Sequence, residues 1–144
     1  MSENNATAVV PSWVLGWAEA SAFLAEEARR LDAGDLEGWL DLLAPDIEYT
    51  APVRSTRYSD DGSEFSSTSF HFDEDMFSLK MRVDRLGTRF AWAEDPPTRT
   101  RHFVANVTAI AAGEGDLEVR SDLLLRRSRL DEDAETRVPA DDVA

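Results

Sequence analysis

The sequence predicts an α+β domain in which two N-terminal helices pack on a curved, mostly antiparallel sheet, giving a cone with a pocket at its open end. Three observations support this fold class. Apolar residues recur at helical spacing early in the chain, they alternate as in strands late in the chain, and a turn with two glycines joins the two longest strands. The 144 residues, 42% of them hydrophobic, are enough for one domain with its own core.

The domain is expected to span residues 1–130, with a flexible arm at residues 1–11. An acidic tail at residues 131–144 has no aromatic residue and is predicted to be disordered. The first residues carry no basic charge before a short apolar patch, no apolar run has the length of a membrane span, and the chain has no cysteine. These features predict a cytoplasmic protein, because thiol pairs are oxidised mainly outside that compartment.

The charge of the chain limits its partners. The net charge is -14 at pH 7, so phosphate backbones and anionic membrane surfaces are not expected to bind it. Arginines are nevertheless frequent in the last third of the chain. They are expected either to pair within the fold or across a subunit interface, or to form a solvated strand face. These residues are Arg99, Arg101, Arg120, Arg126, Arg127 and Arg129.

Two helices are predicted near the N-terminus. Residues 18–31 are rich in alanine and form the first helix, which ends at Gly34. Asp35 is placed to cap the second, and Pro45 stops it. The apolar residues of the second helix share one face: Leu36, Trp39, Leu40 and Leu43. Trp13, Leu15 and Trp17, before the first helix, are expected by default to pack on their own domain, with a neighbouring subunit as the alternative.

The middle of the chain is predicted to hold a strand, a loop and a helix. The strand covers residues 47–54, with Pro52 at an edge or a bulge. Residues 55–70 are polar and without period, which indicates a loop. Asp73 is expected to cap a helix that ends at Gly87, followed by a short strand at residues 89–93. The apolar face of this helix comprises Met76, Leu79, Val83 and Leu86.

The last part of the chain is predicted to be an antiparallel hairpin. Residues 98–110 form its first strand, residues 113–116 the turn and residues 117–130 the second strand. One face of the first strand is apolar and is expected to face the core: Phe103, Ala105, Val107 and Ala109. The other face is mixed and begins with His102.

Candidate chemistry rests on the two histidines and the carboxylates, because the sequence has no nucleotide-binding motif and no cysteine nucleophile. His71, His102 and Asp73 together have the composition of a minimal non-haem iron site, with two histidines and one carboxylate. Two histidines show no spacing pattern, however. The simpler interpretation is that one histidine is hydrogen-bonded in a loop and the other in a sheet.

A second hypothesis is general acid/base catalysis in the pocket. In this interpretation His102 pairs with Asp73 or Asp46, and Tyr49 polarises a carbonyl group. The chain would then be a stand-alone isomerase or dehydratase with a cone fold, acting on a small apolar substrate. Fold analogy alone does not establish such an activity.

Three stretches resemble the β (small) subunit of bacterial aromatic-ring-hydroxylating dioxygenases. They are AEEARRLDAGDLEGWLDLLAPDIEYTAPVR, HFDEDMFSLKMRVDRLGTRFAWAEDPPTRTRHFVANV and LEVRSDLLLRRSRL, and together they cover most of residues 25–130. The run AWAEDPPTRTRHFVANV is the most specific of them. Family members usually continue after the last stretch with a loop and a further strand, whereas TRVPADDVA ends this sequence. The chain is therefore expected to be a member shortened at its C-terminus.

The resemblance implies the cystatin-like cone fold of the nuclear-transport-factor superfamily. It also implies an α subunit as partner, commonly in a three-plus-three hexamer, with the Rieske cluster and the mononuclear iron on that subunit. No cofactor, metal site or catalytic residue is expected on this chain, which would support assembly of the dioxygenase in aromatic compound catabolism. Four residues are predicted to lie at the subunit interface: Trp92, Arg99, Arg101 and His102.

Overall fold

The computed structural model describes residues 9–54, 65–93, 98–128 and 135–137. The elements are, in chain order, α1 (Ser12–Asp32), α2 (Leu36–Leu40), β1 (Tyr49–Arg54), β2 (Phe65–Glu74), α3 (Met76–Ala93), β3 (Arg99–Gly113), β4 (Asp116–Ser128) and β5 (Glu135–Arg137). All strand pairs are antiparallel. β1 pairs with β2 in one sheet, and β3, β4 and β5 form a second sheet in that order. The predicted α+β class is therefore confirmed.

Helix α1 begins earlier than predicted. The carbonyl of Pro11, which has extended backbone angles, accepts hydrogen bonds from the amides of Val14 and Leu15, and the helix follows directly. The early start leaves Trp13 69% and Leu15 59% exposed, so the expectation that they pack on the domain was wrong. Of the predicted arm at residues 1–11, residues 1–8 lie outside the described residues.

The link between α1 and α2 agrees with the sequence analysis. Gly34 has a φ of 72°, the left-handed conformation that ends α1 at little cost for a residue without Cβ. The carboxylate of Asp35 then accepts the amide hydrogen of Gly38 at 3.0 Å and caps α2. The caps therefore lie where the local sequence places them.

The most buried side chains lie where α2 meets α3. Trp39, Leu79 and Val83 are 7%, 2% and 7% exposed and contact one another. Half-buried apolar residues surround this cluster: Leu31, Leu36, Leu40, Leu43 and Ile47. Leu86, predicted to share the apolar face of α3, is only half-buried. The indole of Trp39 also donates a hydrogen bond to Glu27 of α1 at 3.0 Å.

Helix α3 differs from its prediction at both ends. Its cap is Asp75, whose carboxylate accepts the amide hydrogen of Ser78 at 2.9 Å, whereas Asp73 lies within β2. Gly87 does not end the helix, which continues to Ala93 and includes the segment 89–93 predicted as a strand. A glycine inside a helix costs only about 1 kcal/mol, so it stops a helix only where other interactions favour stopping.

Residues 65–70, predicted as a loop, belong to β2. Strand β1 needs a hydrogen-bonding partner along its edge, and pairing can impose extended backbone on a serine-rich segment of low intrinsic preference. The register shifts on either side of Pro52, which confirms the predicted irregularity there. Residues 55–64 of the predicted loop lie outside the described residues.

A bulge in β3 reverses which residues face the helices. Ala105 pairs with Asp122 and Thr108 with Arg120, so β3 holds one extra residue between these pairs. Asn106 lies in this interval with a φ of 51°, and its amide donates a hydrogen bond to Asp122. Even-numbered residues before the bulge and odd-numbered residues after it are therefore half-buried.

The bulge explains one wrong prediction. Phe103 and Ala105 were expected in the core but are exposed, Phe103 by 53%, whereas Val107 and Ala109, beyond the bulge, are half-buried. The predicted hairpin turn is confirmed, with Gly113 and Gly115 at φ angles of 96° and 89°. Both strands of the hairpin lie close to the predicted limits.

The tail was predicted to be disordered from residue 131, but Glu135–Arg137 form β5 against Leu125–Arg127 of β4. The rest of the tail lies outside the described residues. Among the helices that the structure describes, none is both long and apolar enough to cross a membrane.

Candidate functional site

The junction between α1 and β3 holds a buried carboxylate and histidine pair. Asp32 Oδ1 lies 2.6 Å from His102 Nδ1, and the side chains are 8% and 17% exposed. The backbone amide of His102 also donates to the Asp32 carboxylate at 3.2 Å. Thr100 Oγ1 lies 3.3 Å from Asp32 Oδ1, and the guanidinium of Arg101 lies 3.9 Å from Oδ2. One carboxylate thus joins three consecutive residues of β3 to the end of α1.

The position of Asp32 accounts for this concentration of donors. Asp32 is the last residue of α1, where the helix dipole disfavours negative charge. Burial adds a desolvation cost, so the carboxylate requires hydrogen-bond donors and positive charge nearby. The amide of His102, its ring and the Arg101 guanidinium supply both.

A groove opens beside this pair, between one face of α1 and the start of β3. Its volume is about 740 Å³, within the range of roughly 300–1,000 Å³ that is typical of small-molecule sites. The α1 wall includes three small side chains, those of Ser21, Ala25 and Ala28, and residues 101–107 of β3 form the other wall. The lining residues from α1 are Trp17, Ser21, Ala25, Ala28, Arg29 and Asp32.

Two polar groups at this groove have no protein partner in the described part of the chain. The hydroxyl oxygen of Ser21 is buried without a hydrogen bond. His102 bonds through Nδ1, and no hydrogen bond to its Nε2 is made by the described residues. The Ser21 oxygen is the buried one of the two, and unpaired buried polar atoms are uncommon in folded proteins, so it points to a missing partner.

The alternative acid/base constellation is not assembled. His102 pairs with Asp32 rather than with Asp73 or Asp46. Tyr49 and Asp73 lie on the β1–β2 sheet, none of whose described Cα atoms comes within 8 Å of one in β3. Tyr49 stacks on Phe72 with ring centroids 5.8 Å apart. The sequence analysis missed Asp32; the signal for it was an aspartate in the last turn of a helix, where it needs donors from elsewhere.

The hypothetical iron site is also not assembled. His71 and Asp73 lie on β2, away from His102. No group of three or more potential metal ligands occurs among the residues that the structure describes. The chain has no cysteine either, so it cannot supply the thiolates of a Rieske cluster.

An aromatic and ionic cluster lies on the other sheet. The Arg82 guanidinium sits 5.7 Å from the centre of the Phe72 ring and forms an ion pair with Glu74. Hydrogen bonds from Ser78 and Arg82 hold the pKa of Glu74 below its usual range. The cluster fixes the start of α3 against β2, which is a structural role.

The predicted interface residues divide between two faces of β3. Arg99 and Arg101 are exposed, although the Arg101 guanidinium lies 3.9 Å from Asp32 of α1, whereas the His102 side chain is half-buried toward α1. Trp92 lies in α3, and its side chain is outside the described residues. Arg101 stands opposite Arg126 of β4, and Phe103 stands opposite Leu124. These four residues are called the outer face below; Phe103 is 53% and Leu124 37% exposed.

The family model for the ring hydroxylating beta subunit matches residues 26–140. This chain belongs to that family. The predicted resemblance is thereby confirmed, and the match includes the α1–β3 junction and the outer face.

The chain is similar in sequence to beta subunits of known dioxygenases. It is 38% identical over 117 residues to the benzene 1,2-dioxygenase subunit beta of Pseudomonas putida F1, covering 78% of this chain and 63% of that protein. It is 40% identical over 118 residues to the chlorobenzene dioxygenase subunit beta of Cupriavidus sp. PS12, with the same coverage. The chain therefore spans 63% of the length of these curated relatives.

Solved structures agree with the beta-subunit family. The beta subunit of benzoate 1,2-dioxygenase from Burkholderia mallei matches with a TM-score of 0.67 and 27% identity, over 83% of this chain and 72% of that one. A chain of naphthalene 1,2-dioxygenase with bound indole matches with a TM-score of 0.72 and 23% identity, over 90% of this chain and 68% of that one. The second likeness concerns the fold alone.

Proposed function

We propose that this chain is the non-catalytic small subunit of an aromatic-ring-hydroxylating dioxygenase and supports assembly of an iron-containing α subunit. The observation that carries the proposal is the family match over residues 26–140. The names of the relatives, which are beta subunits of benzene, chlorobenzene and biphenyl dioxygenases, support a role in aromatic compound catabolism. The same proposal places the subunit in the cytoplasm, where a chain without cysteine needs no disulfides.

The donor chemistry of this chain supports placing the metal centres on the partner. A Rieske cluster needs cysteine thiolates as well as histidines, and this sequence has two histidines and no cysteine. We therefore assign the Rieske cluster and the mononuclear iron to the α subunit. The beta subunit then contributes contact surface, and a three-plus-three hexamer is the assembly proposed.

The outer face is the proposed contact with the α subunit. Phe103 and Leu124 form an exposed apolar pair, and such pairs are favourable centres for protein interfaces. Arg101 and Arg126 stand directly opposite one another beside this pair, where like charges repel. An acidic group on the α subunit would relieve that repulsion. The outer face is therefore complementary to a surface of the α subunit that has an apolar centre and an acidic rim. Arg99 extends the same face, and Trp92 remains predicted to contact the partner.

Association with an α subunit tests the proposal. The chain would be produced with the large subunit of benzene 1,2-dioxygenase, and the complex measured by size-exclusion chromatography with light scattering. We expect a mixed oligomer, weakened about tenfold or more by Phe103→Asp because a charge then replaces the apolar centre.

Ile110→Asp is the matched control. Ile110 is 60% exposed on the same strand, beyond the bulge and outside the outer face, so this variant should assemble normally. Failure of the unaltered chain to associate with large subunits of several such dioxygenases would contradict the proposed function. Equal assembly of both variants would contradict the proposed contact surface.

A further inference from the structure

We propose that the groove between α1 and β3 binds a small uncharged ring compound that carries a hydroxyl group. The groove lies on the α1 side of β3, although Arg101 and Phe103 of the outer face also contribute to its lining. The inference goes beyond subunit assembly and does not depend on it. It rests on four features: the hydrogen-bonding state of the His102 ring, the unpaired hydroxyl of Ser21, the local charge balance and the apolar walls.

The hydroxyl group follows from the Asp32 and His102 pair. A carboxylate only accepts hydrogen bonds, so at 2.6 Å the Nδ1 atom of His102 must carry the hydrogen. In the neutral imidazole, Nε2 is then an acceptor and can take a hydrogen bond from a donor on the ligand. A hydroxyl group supplies that donor, whereas a carboxylate or an ether does not.

Ser21 supplies a second polar contact. Its oxygen is buried without a partner in the described part of the chain, although it lies on the groove wall. A serine hydroxyl both donates and accepts, and rotation about its Cα–Cβ bond changes its direction. It can therefore donate to the ligand oxygen while the ligand donates to His102.

The charge balance favours a neutral ligand. Arg29 makes two hydrogen bonds of 2.7 Å to the carboxylate of Glu26. Arg101 lies 3.9 Å from Asp32. Both guanidinium groups that line the groove thus have a carboxylate nearby, and neither offers an unopposed positive charge for an anion.

The rest of the lining is suited to a ring. Trp17 is 46% exposed at the groove and presents an aromatic surface for stacking. Ala25 and Ala28 leave space on the helix wall, and Val104 and Val107 cover the strand side. A flat apolar ring fits between these walls with its hydroxyl directed toward His102.

Calorimetric titration of the full chain with phenol tests the proposal. Toluene has a similar size without the hydroxyl, so we expect it to bind about tenfold more weakly, because His102 and Ser21 would remain unpaired. Ser21→Ala should lower the affinity for phenol and leave the affinity for toluene unchanged. Absence of phenol binding at millimolar concentration, or equal affinity for phenol and toluene, would overturn the inference.

A matched pair of variants locates the site. Ala25 and Ala22 are both exposed on α1, but only Ala25 lines the groove. Ala25→Phe should fill the groove and lower the affinity for phenol about tenfold or more, while Ala22→Phe should leave it unchanged. Equal effects of the two variants would place any phenol binding elsewhere and overturn the assignment. Association with an α subunit, measured separately, would be unaffected by Ala25→Phe, so the two proposals can fail independently.

Discussion

Asp32 at the end of α1 and His102 on β3 are joined by a 2.6 Å contact between Oδ1 and Nδ1. The two residues are 70 positions apart in sequence. The same carboxylate accepts the backbone amide of His102, so it fixes both the ring and the strand. This contact sets the position of α1 on the second sheet and forms one end of the groove.

Replacing Asp32 with alanine should lower the free energy of unfolding by about 2–3 kcal/mol. The substitution leaves the His102 amide and ring without their acceptor. Buried donors that lose their partner retain the full cost of desolvation. Urea unfolding followed by circular dichroism measures the change. Asp84→Asn, at an exposed position on α3, is the control and should stay within about 0.5 kcal/mol. Similar effects of the two variants would show that the pair contributes little.

Two leucines of α3 should differ in their contribution to stability. Leu79 is 2% exposed in the main cluster, so Leu79→Ala should cost about 2–5 kcal/mol. Leu86 is half-buried, and Leu86→Ala should cost less because less apolar surface is lost from the core. Thermal and chemical unfolding of both variants compares them. A larger loss at Leu86 would mean that the packed face of α3 is assigned wrongly.

The bulge in β3 should depend on the backbone of Asn106. At a φ of 51°, alanine is strained and glycine is not, so Asn106→Ala should be about 1 kcal/mol less stable than Asn106→Gly. Both variants lose the hydrogen bond to Asp122, so their difference reports the backbone alone. Equal unfolding free energies would indicate that residue 106 does not hold this conformation in solution.

The carboxyl of Glu26 should titrate unusually low. Hydrogen bonds from Arg29 and Arg30 lower its pKa from 4.5 to about 2. A lowered folded-state pKa stabilises the protein above the unfolded-state value, and this contribution is lost as the pH falls toward 2. Side-chain carbon shifts in an NMR titration measure the pKa. Glu26→Gln should remove this part of the acid sensitivity, and added salt should reduce it because the group is exposed. A pKa near 4.5 in the titration would contradict the expectation.

Elements governed by neighbours in sequence were predictable. The left-handed Gly34, the Asp35 cap and the turn at residues 113–116 all depend on a few adjacent residues, and each was found where expected. The family likewise could be inferred from the run at residues 91–107, because several specific residues occur there in a fixed order. Local conformation and family membership can both be inferred from short stretches of sequence.

Features that depend on contacts between distant residues were not predictable. Residues 65–70 form a strand because β1 lies beside them, although their composition resembles a loop. Helix α3 passes Gly87, since the cost of one glycine is small beside what the rest of the helix contributes. In both cases tertiary interactions outweigh a weak local preference.

By itself, the sequence determined the α+β class, the caps at Gly34 and Asp35, the hairpin and the family. Only the tertiary structure decided that Asp32 is the partner of His102 and that Phe103 faces outward. Each outcome has its own physical reason. A single extra residue at Asn106 reverses the faces of β3 without changing its composition. A buried carboxylate takes whichever donors the fold brings within reach, and the alternation of a strand does not identify them.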